Sequence, residues 1–587
     1  MTAHIRLLRV DRFRGVQSLT WRPSSRTNVI LGGGNVGKTT ILDAIALLLS
    51  PSNSYTLADA DYWQRDVEAE FLIEAVISMP EHASINQQGA MAWPWEWDGQ
   101  NALLPQVDVA EDGAEAMQRP PVYKVRVRGT ADLELVYELV QPDDTCSSFS
   151  VASRRAIGLV RLSGDDRNDR DLRLVHGAGL DRLLADKGLR ARLGREIAAE
   201  GVEGHLEDAA QTRLAHLDQL FGARALPTDL GLGFVGSAGL SVNALVGLTA
   251  EKDGVALPLI SWGSGTRRLA SLAIAEALQN GQPITVVDEI ERGLEPYRQR
   301  QLATTLSSTP AQVFLTTHSA SILSAATDAA LWYVDATGQI GSLPRDKVGR
   351  HQAEDPEAFL ARLTIVAEGA TEVGFLSSLL DRYVGDDWAS RGIHVTDGRG
   401  NDSVLNLLEA LSEGGLRFAG FADDEGTHPG RWRNLRERIG DLLFQWPGGC
   451  LEANVVPLFA PEGLEALIAD PEGERTGMRL RSLAERLGLA DGSYQAIADR
   501  AGEGLRALIV DAATGKIPDH LGDADRAIRN PFKGHASVWF KSVDGGRELS
   551  DKVHALGVWP TLQARLTPFL NAVRQTTGLP ALPVRAR

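Results

Sequence analysis

Gly32-Gly-Gly-Asn-Val-Gly37-Lys38-Thr39 follows the apolar run Asn28-Val-Ile-Leu31 and opens the apolar segment Thr40 to Leu49. A buried strand that ends in a glycine-rich turn and runs into a helix is the setting in which a phosphate-gripping loop works. Glycines let backbone N–H groups approach phosphate oxygens at a helix N-terminus, where the peptide dipoles also favour negative charge. Lys38 adds a positive charge for the β and γ phosphates, and Thr39 a hydroxyl for Mg2+. The stretch therefore predicts an ATP site built from Gly32, Asn35, Gly37, Lys38, Thr39 and Thr40. A chance glycine-rich turn is the alternative, and the strand before and helix after weigh against it.

The chain has 587 residues, more than a single core sustains, so two or three domains are expected. Hydrophobic residues make up 43% and charged residues 23%, ordinary values for a globular protein. No stretch is long and apolar enough to cross a bilayer, which predicts a soluble protein without a membrane partner. The first residues, MTAHIRLLRVDRF, alternate charge with apolar side chains and lack the apolar core of a signal peptide, so a cytoplasmic location is expected. Cys146 and Cys450 lie far apart without metal-ligand spacing, which argues against a disulfide framework and a zinc site. A net charge of −17 excludes a surface that is basic throughout but leaves room for a local basic channel.

Residues 4–10 and 28–31 read as strands, and from about 68 to 160 alternating segments such as Phe71-Leu-Ile-Glu-Ala-Val-Ile77 and Tyr123-Lys-Val-Arg-Val-Arg128 predict more. A Pro, Trp and Gly-rich interruption falls around 89–105. Between about 165 and 225 the period changes: Leu206, Ala210, Leu214, Leu217 and Phe221 recur every three or four residues, as on one face of a helix. This insertion is either a satellite packed on the core or a dimerisation arm. The α/β pattern returns after Pro227, the charged stretch Arg345 to Pro356 reads as a linker, and a second α/β domain starts near Ala361. The expected domains are 1–164 and 227–350 as two parts of one head, 165–226 as the insertion, and 360–587 as the second domain with a helical C-terminal part.

Ile284-Thr-Val-Val287 is a buried-strand run ending in Asp288-Glu289, a pair suited to holding Mg2+ through its water shell (Asp288) and to polarising an attacking water (Glu289). Upstream, Ser261-Trp-Gly-Ser264-Gly265-Thr266 opens a helix from about Arg268 to Leu278, and downstream Phe314-Leu-Thr-Thr-His318-Ser319 ends another apolar strand. Alone, each has an ordinary reading as a helix cap or a structural histidine. In this order, and with Phe13-Arg14-Gly15 near the start, they resemble the ABC-type ATPase head of the RecF and SMC kind over about residues 1–340. The resemblance implies a signature turn at Ser264, Gly265 and Thr266 that contacts nucleotide on an opposite head, a switch histidine at His318 and a D-loop at Gly293-Leu-Glu-Pro296. The turn departs from the common Leu-Ser-Gly-Gly-Gln form, and for a Q-loop only Gln64 is a candidate. The absence of a long coiled coil removes a tethering role.

Leu363-Thr-Ile-Val-Ala367 reads as a strand ending in Glu368-Gly-Ala-Thr-Glu372 before the apolar helix Val373 to Leu380; Arg417-Phe-Ala-Gly-Phe-Ala422 is a second strand, ending in Asp423-Asp-Glu425. Neighbouring strands so ended gather Glu368, Asp423 and Glu425, whose charges repel unless a divalent cation lies among them. The cluster Arg431-Trp-Arg433-Asn-Leu-Arg436-Glu-Arg438 then reads equally as a phosphate grip or a solvated helix face.

The two strand ends resemble the TOPRIM domain, with Glu425 in the position of its second aspartate. An ABC head followed by TOPRIM resembles the OLD family of nucleases, relatives of the Gabija nuclease, over nearly the whole chain. That resemblance implies Mg2+- or Mn2+-dependent cleavage of DNA by a homodimer or larger assembly, and defence against bacteriophage. It further implies metal ligation by Glu368, Glu372, Asp423, Glu425 and Glu452 at one site and by Thr39 and Asp288 at the other, with Lys541 steadying the scissile phosphate. The implied catalytic set is Glu289, His318, Glu368, Asp423, Glu425 and Lys541, and a separately encoded helicase or defence partner fits the same picture. Two other readings stay open: an ATP-driven sensor or scaffold with an inactive or partner-binding TOPRIM domain, and a topoisomerase or primase subunit.

Overall fold

The computed structural model describes residues 3–79, 92–105, 119–162, 171–175, 178–186, 189, 202–234, 246–277, 284–470, 472–521 and 525–582. Much of the expected insertion at 165–226, the start of the 89–105 interruption and Leu278 lie outside the described residues. The chain divides into two compact units, Met1–Arg345 with Gln352–Pro356, and Asp346–His351 with Glu357–Arg587.

In the first unit a six-stranded sheet runs in the order Leu159–Leu162, Ile284–Val287, Val313–Thr316, Thr27–Gly32, Ala330–Val334 and Ile340–Leu343, all parallel except the last. Strands covered on both faces need continuous apolar runs, and Ile284–Val287 and Val313–Thr316 are buried at every residue. Because these strands are parallel, Gly32, Asp288 and His318 all emerge at the same C-terminal edge, where open α/β sheets bind ligands. Gly37, with φ 102°, turns the loop into helix Lys38–Leu48, whose Ile41, Leu42, Ile45 and Leu48 are buried in one core with the second, largely antiparallel sheet.

Helix Asp208–Ala223 buries Ala210, Leu214, Leu217 and Phe221, the face expected from their spacing, and packs against helix Ser264–Ala277. Burial of such side chains contributes about 1.5–3 kcal/mol each. The stretch Arg345 to Pro356, expected as a linker, falls where the two units divide and forms the helix Arg345–Glu354. Val348, His351 and Gln352 fall three and four residues apart on one face of that helix and are buried.

The second unit holds four parallel strands in the order Ile393–Asp397, Leu363–Ala367, Phe418–Asp423 and Leu443–Trp446. Ala367 lies opposite Phe421, so the carboxylates that follow the two central strands share an edge. Helices from Thr476–Leu487 to Trp559–Thr576 form the C-terminal part and complete its core. Helix Val543–Ala555 lies directly on helix Ala370–Tyr383: a Cβ on Gly374 would meet Val543 O at 1.8 Å, and one on Gly546 would meet Thr371 O at 2.0 Å. Only glycine permits that approach, and it carries the segment just before Val543 to the end of the sheet.

Candidate functional site

At the edge of the first sheet a cleft of about 410 Å3 is lined by Gly15, Gly34, Asn35, Gly37, Lys38, Thr39, Thr40, Asp288, Glu289, Thr316 and His318, with Val36. Lys38 Nζ donates to the carbonyls of Gly32 (2.9 Å) and Gly33 (2.6 Å), which folds the ammonium onto its own loop. Burial lowers its pKa, and the charges of Asp288, Glu289 and Glu291 oppose that shift. Asp288 Oδ1 accepts a hydrogen bond from Thr316 Oγ1 at 2.5 Å, and the Glu289 N–H donates to that same hydroxyl at 2.8 Å. Glu289 itself has φ 47°, a left-handed conformation uncommon outside glycine. Seven of the residues expected at the ATP site (Asn35, Gly37, Lys38, Thr39, Thr40, Asp288 and Glu289), and the switch candidate His318, therefore face one cleft.

At the edge of the second sheet Glu368, Glu372, Asp423 and Glu452 are all buried, Glu452 completely. Glu368 follows its strand and accepts through Oε2 from the Asp423 N–H (2.8 Å) and from Asn401 Nδ2 (3.1 Å). Glu372 occupies the first turn of helix Ala370–Tyr383 and Glu452 that of Leu451–Val455. Lys541 Nζ lies 3.0 Å from Glu452 Oε1. Its approach is fixed by the close helix pair and by Thr371 Oγ1 donating to the Phe540 carbonyl at 3.0 Å.

Burial, reinforced by the charges of Glu372, Glu368 and Glu452, pushes the Asp423 carboxyl up to about 9, and burial with the charge of Glu452 pushes Glu372 up to about 7. Glu368 is raised as well, chiefly by burial. For Lys541 burial acts downward, but the charges of Glu452 and Glu372 outweigh it and the net shift is upward. Asp423 Oδ1 and Glu452 Oε2 are buried and accept no hydrogen bond. Carboxylate oxygens left without donors are what a divalent cation would satisfy, so the donor set fits Mg2+ or Mn2+. Among the described residues, however, no three of these side chains already converge as a ready-made cage. Glu425 is exposed in the turn beyond Asp423, close enough for its charge to act on Glu368.

Residues 148–324 match the family described as "AAA domain, putative AbiEii toxin, Type IV TA system". Residues 359–424 match "Overcoming lysogenization defect protein-like, TOPRIM domain". The chain joins an ATPase domain to an OLD-like TOPRIM domain. That order is consistent with an OLD-family ATPase–TOPRIM fusion. No curated protein matches the sequence. Among solved structures, it resembles an Smc head bound to the C-terminal winged-helix domain of ScpA, at 14% identity and TM-score 0.38, covering 59% of this chain and 99% of that one. An Smc head with an extended coiled coil bound to a ScpA domain from Pyrococcus furiosus aligns at 13% and 0.38, over 60% and 99%. The recombination mediator RecF aligns at 13% and 0.33, over 58% and 99%.

In the ATPase domain Ser264, Gly265 and Thr266, the expected signature turn, form the start of helix Ser264–Ala277, four residues earlier than expected, and do not line the cleft of their own chain. A Cβ on Gly265 would meet Gly293 O at 2.0 Å, so this turn is in backbone contact with the stretch expected as the D-loop. Gln64 is exposed and does not line the cleft either. In the TOPRIM domain three of the four arginines after Asp423 are engaged by their own chain. Arg431 grips Glu409 at 2.8 and 2.6 Å, Arg436 bonds Gln445 and Arg438 bonds Ser412, which favours the structural reading of that helix.

Two residues escaped the sequence reading. Asn401 bridges Glu368 Oε2 and the Asp423 carbonyl (3.0 Å), and the glycine-rich turn Gly398-Arg399-Gly400 after a strand was the signal for it. Glu291 accepts from the His318 N–H and from Thr317 Oγ1, both at 2.7 Å. Its proximity to Asp288 and Glu289 was visible, but its partner strand was not.

Proposed function

We propose that the chain binds and hydrolyses ATP and cuts DNA with divalent cations at the TOPRIM site. The observation that carries the reading is the burial of Glu368, Glu372, Asp423 and Glu452 around Lys541, with two carboxylate oxygens lacking any donor. Buried like charges oppose folding unless something positive joins them, so the cluster is maintained at a cost in stability. Mg2+ or Mn2+ bound there supplies Lewis acidity toward a phosphodiester and its attacking water. Asp423, Glu368, Glu372 and Glu452 would hold the cation, with Glu425 as a further candidate ligand. Asn401 fixes the Glu368 carboxylate, and Lys541 offers charge to the scissile phosphate.

At the other site Thr39 and Asp288 would hold Mg2+ with ATP, Lys38 would turn from the loop carbonyls to the phosphates, and Glu289 with His318 would orient the attacking water. The turn Ser264-Gly265-Thr266 does not line the cleft of its own chain, which supports a composite site completed by a second copy, hence at least a homodimer. Light scattering at micromolar concentration, with and without ATP, tests that. A role in defence against bacteriophage, alongside a separately encoded partner, rests on the OLD-like resemblance alone.

The test is supercoiled plasmid incubated with Mg2+ or Mn2+. Nicked or linear product is expected from the parent and not from Asp423→Ala, which keeps ATP hydrolysis because the ATPase domain is untouched. Equal cleavage by both proteins moves the nuclease elsewhere. A scaffold reading is favoured by the lack of a ready-made cage among the described residues, and it predicts no cleavage by either protein.

A further inference from the structure

We infer that Glu291 is a positioning residue for ATP hydrolysis, seating the switch histidine against the carboxylates that follow strand Ile284–Val287. The inference rests on the ATPase reading given above. The ends of strands Ile284–Val287 and Val313–Thr316 are joined rung by rung beyond their ladder. Ile290 N–H donates to Thr316 O (3.1 Å), Thr316 Oγ1 donates to Asp288 Oδ1 while accepting from Glu289 N–H, and Glu291 closes the last rung. One of its oxygens takes the Thr317 hydroxyl and the other the His318 N–H.

A carboxylate has only acceptor sites, so both donors are satisfied at once, and charge-assisted bonds of this kind are the stronger class. On the far side Gln299 Nε2 donates to Leu294 O at 2.8 Å while its Oε1 accepts from Ser319 Oγ at 2.5 Å. The loop that carries His318 is thereby held from both ends, by Glu291 and by the helix Pro296–Ser308 that follows the D-loop. Glu289, in its left-handed conformation, lies inside the same lattice of bonds, and such a conformation persists only where its surroundings enforce it. Glu291 acts through His318 and does not line the cleft itself.

Turnover and ATP affinity of Glu291→Ala, Glu291→Gln, His318→Ala and Glu291→Ala/His318→Ala test the inference. Glu291→Ala should lower kcat about tenfold or more while ATP affinity changes less than about threefold, the pattern of a group needed in the transition state. Glu291→Gln keeps one acceptor and should fall between Ala and parent. If both residues serve one seated imidazole, the double variant should be no slower than His318→Ala. Parental turnover by Glu291→Ala, or losses that multiply in the double variant, would overturn the inference. An inactive parent would instead sink the ATPase reading, and Glu291→Gln carries the test if Glu291→Ala melts early.

Discussion

The ammonium of Lys541 stands 3.0 Å from Glu452 Oε1, on the one carboxylate of the acidic group that has no exposed surface at all. It is the positive charge that acts on Glu368, Glu372 and Asp423 together. In the absence of a divalent cation the lysine partly takes its place. Lys541→Met should therefore lower the stability of the chelated protein by about 1–3 kcal/mol, less than for a wholly buried pair because its side chain is 39% exposed. Stabilisation by Mn2+ should persist and grow, while plasmid cutting falls. An unchanged melting temperature in EDTA would show that the ion pair contributes nothing.

The same cluster sets a pH dependence for the metal-free protein. Asp423 moves from 3.8 to about 9 and Glu372 from 4.5 to about 7 on folding, so between those limits the folded chain holds more protons than the unfolded one. Their contribution to stability is complete below about pH 4 and is lost as pH rises through 7 and then 9. In EDTA the melting temperature should fall from pH 6 to pH 9. The slope should shrink in Asp423→Asn and in saturating Mn2+, which replaces protons as the neutralising charge. A slope that Asp423→Asn leaves untouched would assign the titration to other groups.

How much of this was legible in sequence depended on distance along the chain. Gly32, Asp288 and His318 each follow an apolar run, so the strand pattern alone brings them, and the loop from Gly32 to Lys38, to one edge of a parallel sheet. Glu368 and Asp423 follow the same logic. Lys541 and Glu452 were reached only through a family resemblance, because their approach depends on Gly374 and Gly546, two helix glycines whose purpose is invisible until both helices are seen. The stretch 345–356 was legible as the place where the units divide, and its helix shows only in the spacing of Val348, His351 and Gln352. For Arg431 and its neighbours the sequence left phosphate grip and solvated helix face equal, because Glu409, Ser412 and Gln445, which occupy three of the arginines, come from other elements.

At the nucleotide cleft, Lys38→Ala removes the charge meant for the transferring phosphate and should abolish ATP hydrolysis. Glu289→Gln should still bind ATP but hydrolyse it slowly, since the cleft keeps its loop and loses the group that polarises water. Wild-type turnover in the first variant would remove the ATPase assignment. Failure of the second to bind nucleotide would make Glu289 a structural residue.

Gly546 offers a test in which the expected sign is the reverse of the usual one. In an exposed helix interior, Gly→Ala stabilises by about 1 kcal/mol, because alanine is the better helix former. In helix Val543–Ala555 the added Cβ would lie 2.0 Å from Thr371 O and 2.8 Å from Phe375 N, backbone atoms of the helix that carries Glu372. Backbone gives way only if the two helices part, and overpacking of this kind costs about 1–3 kcal/mol or more. Parting them also withdraws Lys541 from Glu452, since the lysine precedes the displaced helix. Gly546→Ala should therefore melt earlier and cut plasmid poorly while hydrolysing ATP at the parental rate. Gly477→Ala, where a Cβ meets nothing within 4 Å, serves as the control and should be neutral or stabilising. If Gly546→Ala melts and cuts like the parent, the helices are farther apart than described and Lys541 reaches the acidic group by another route.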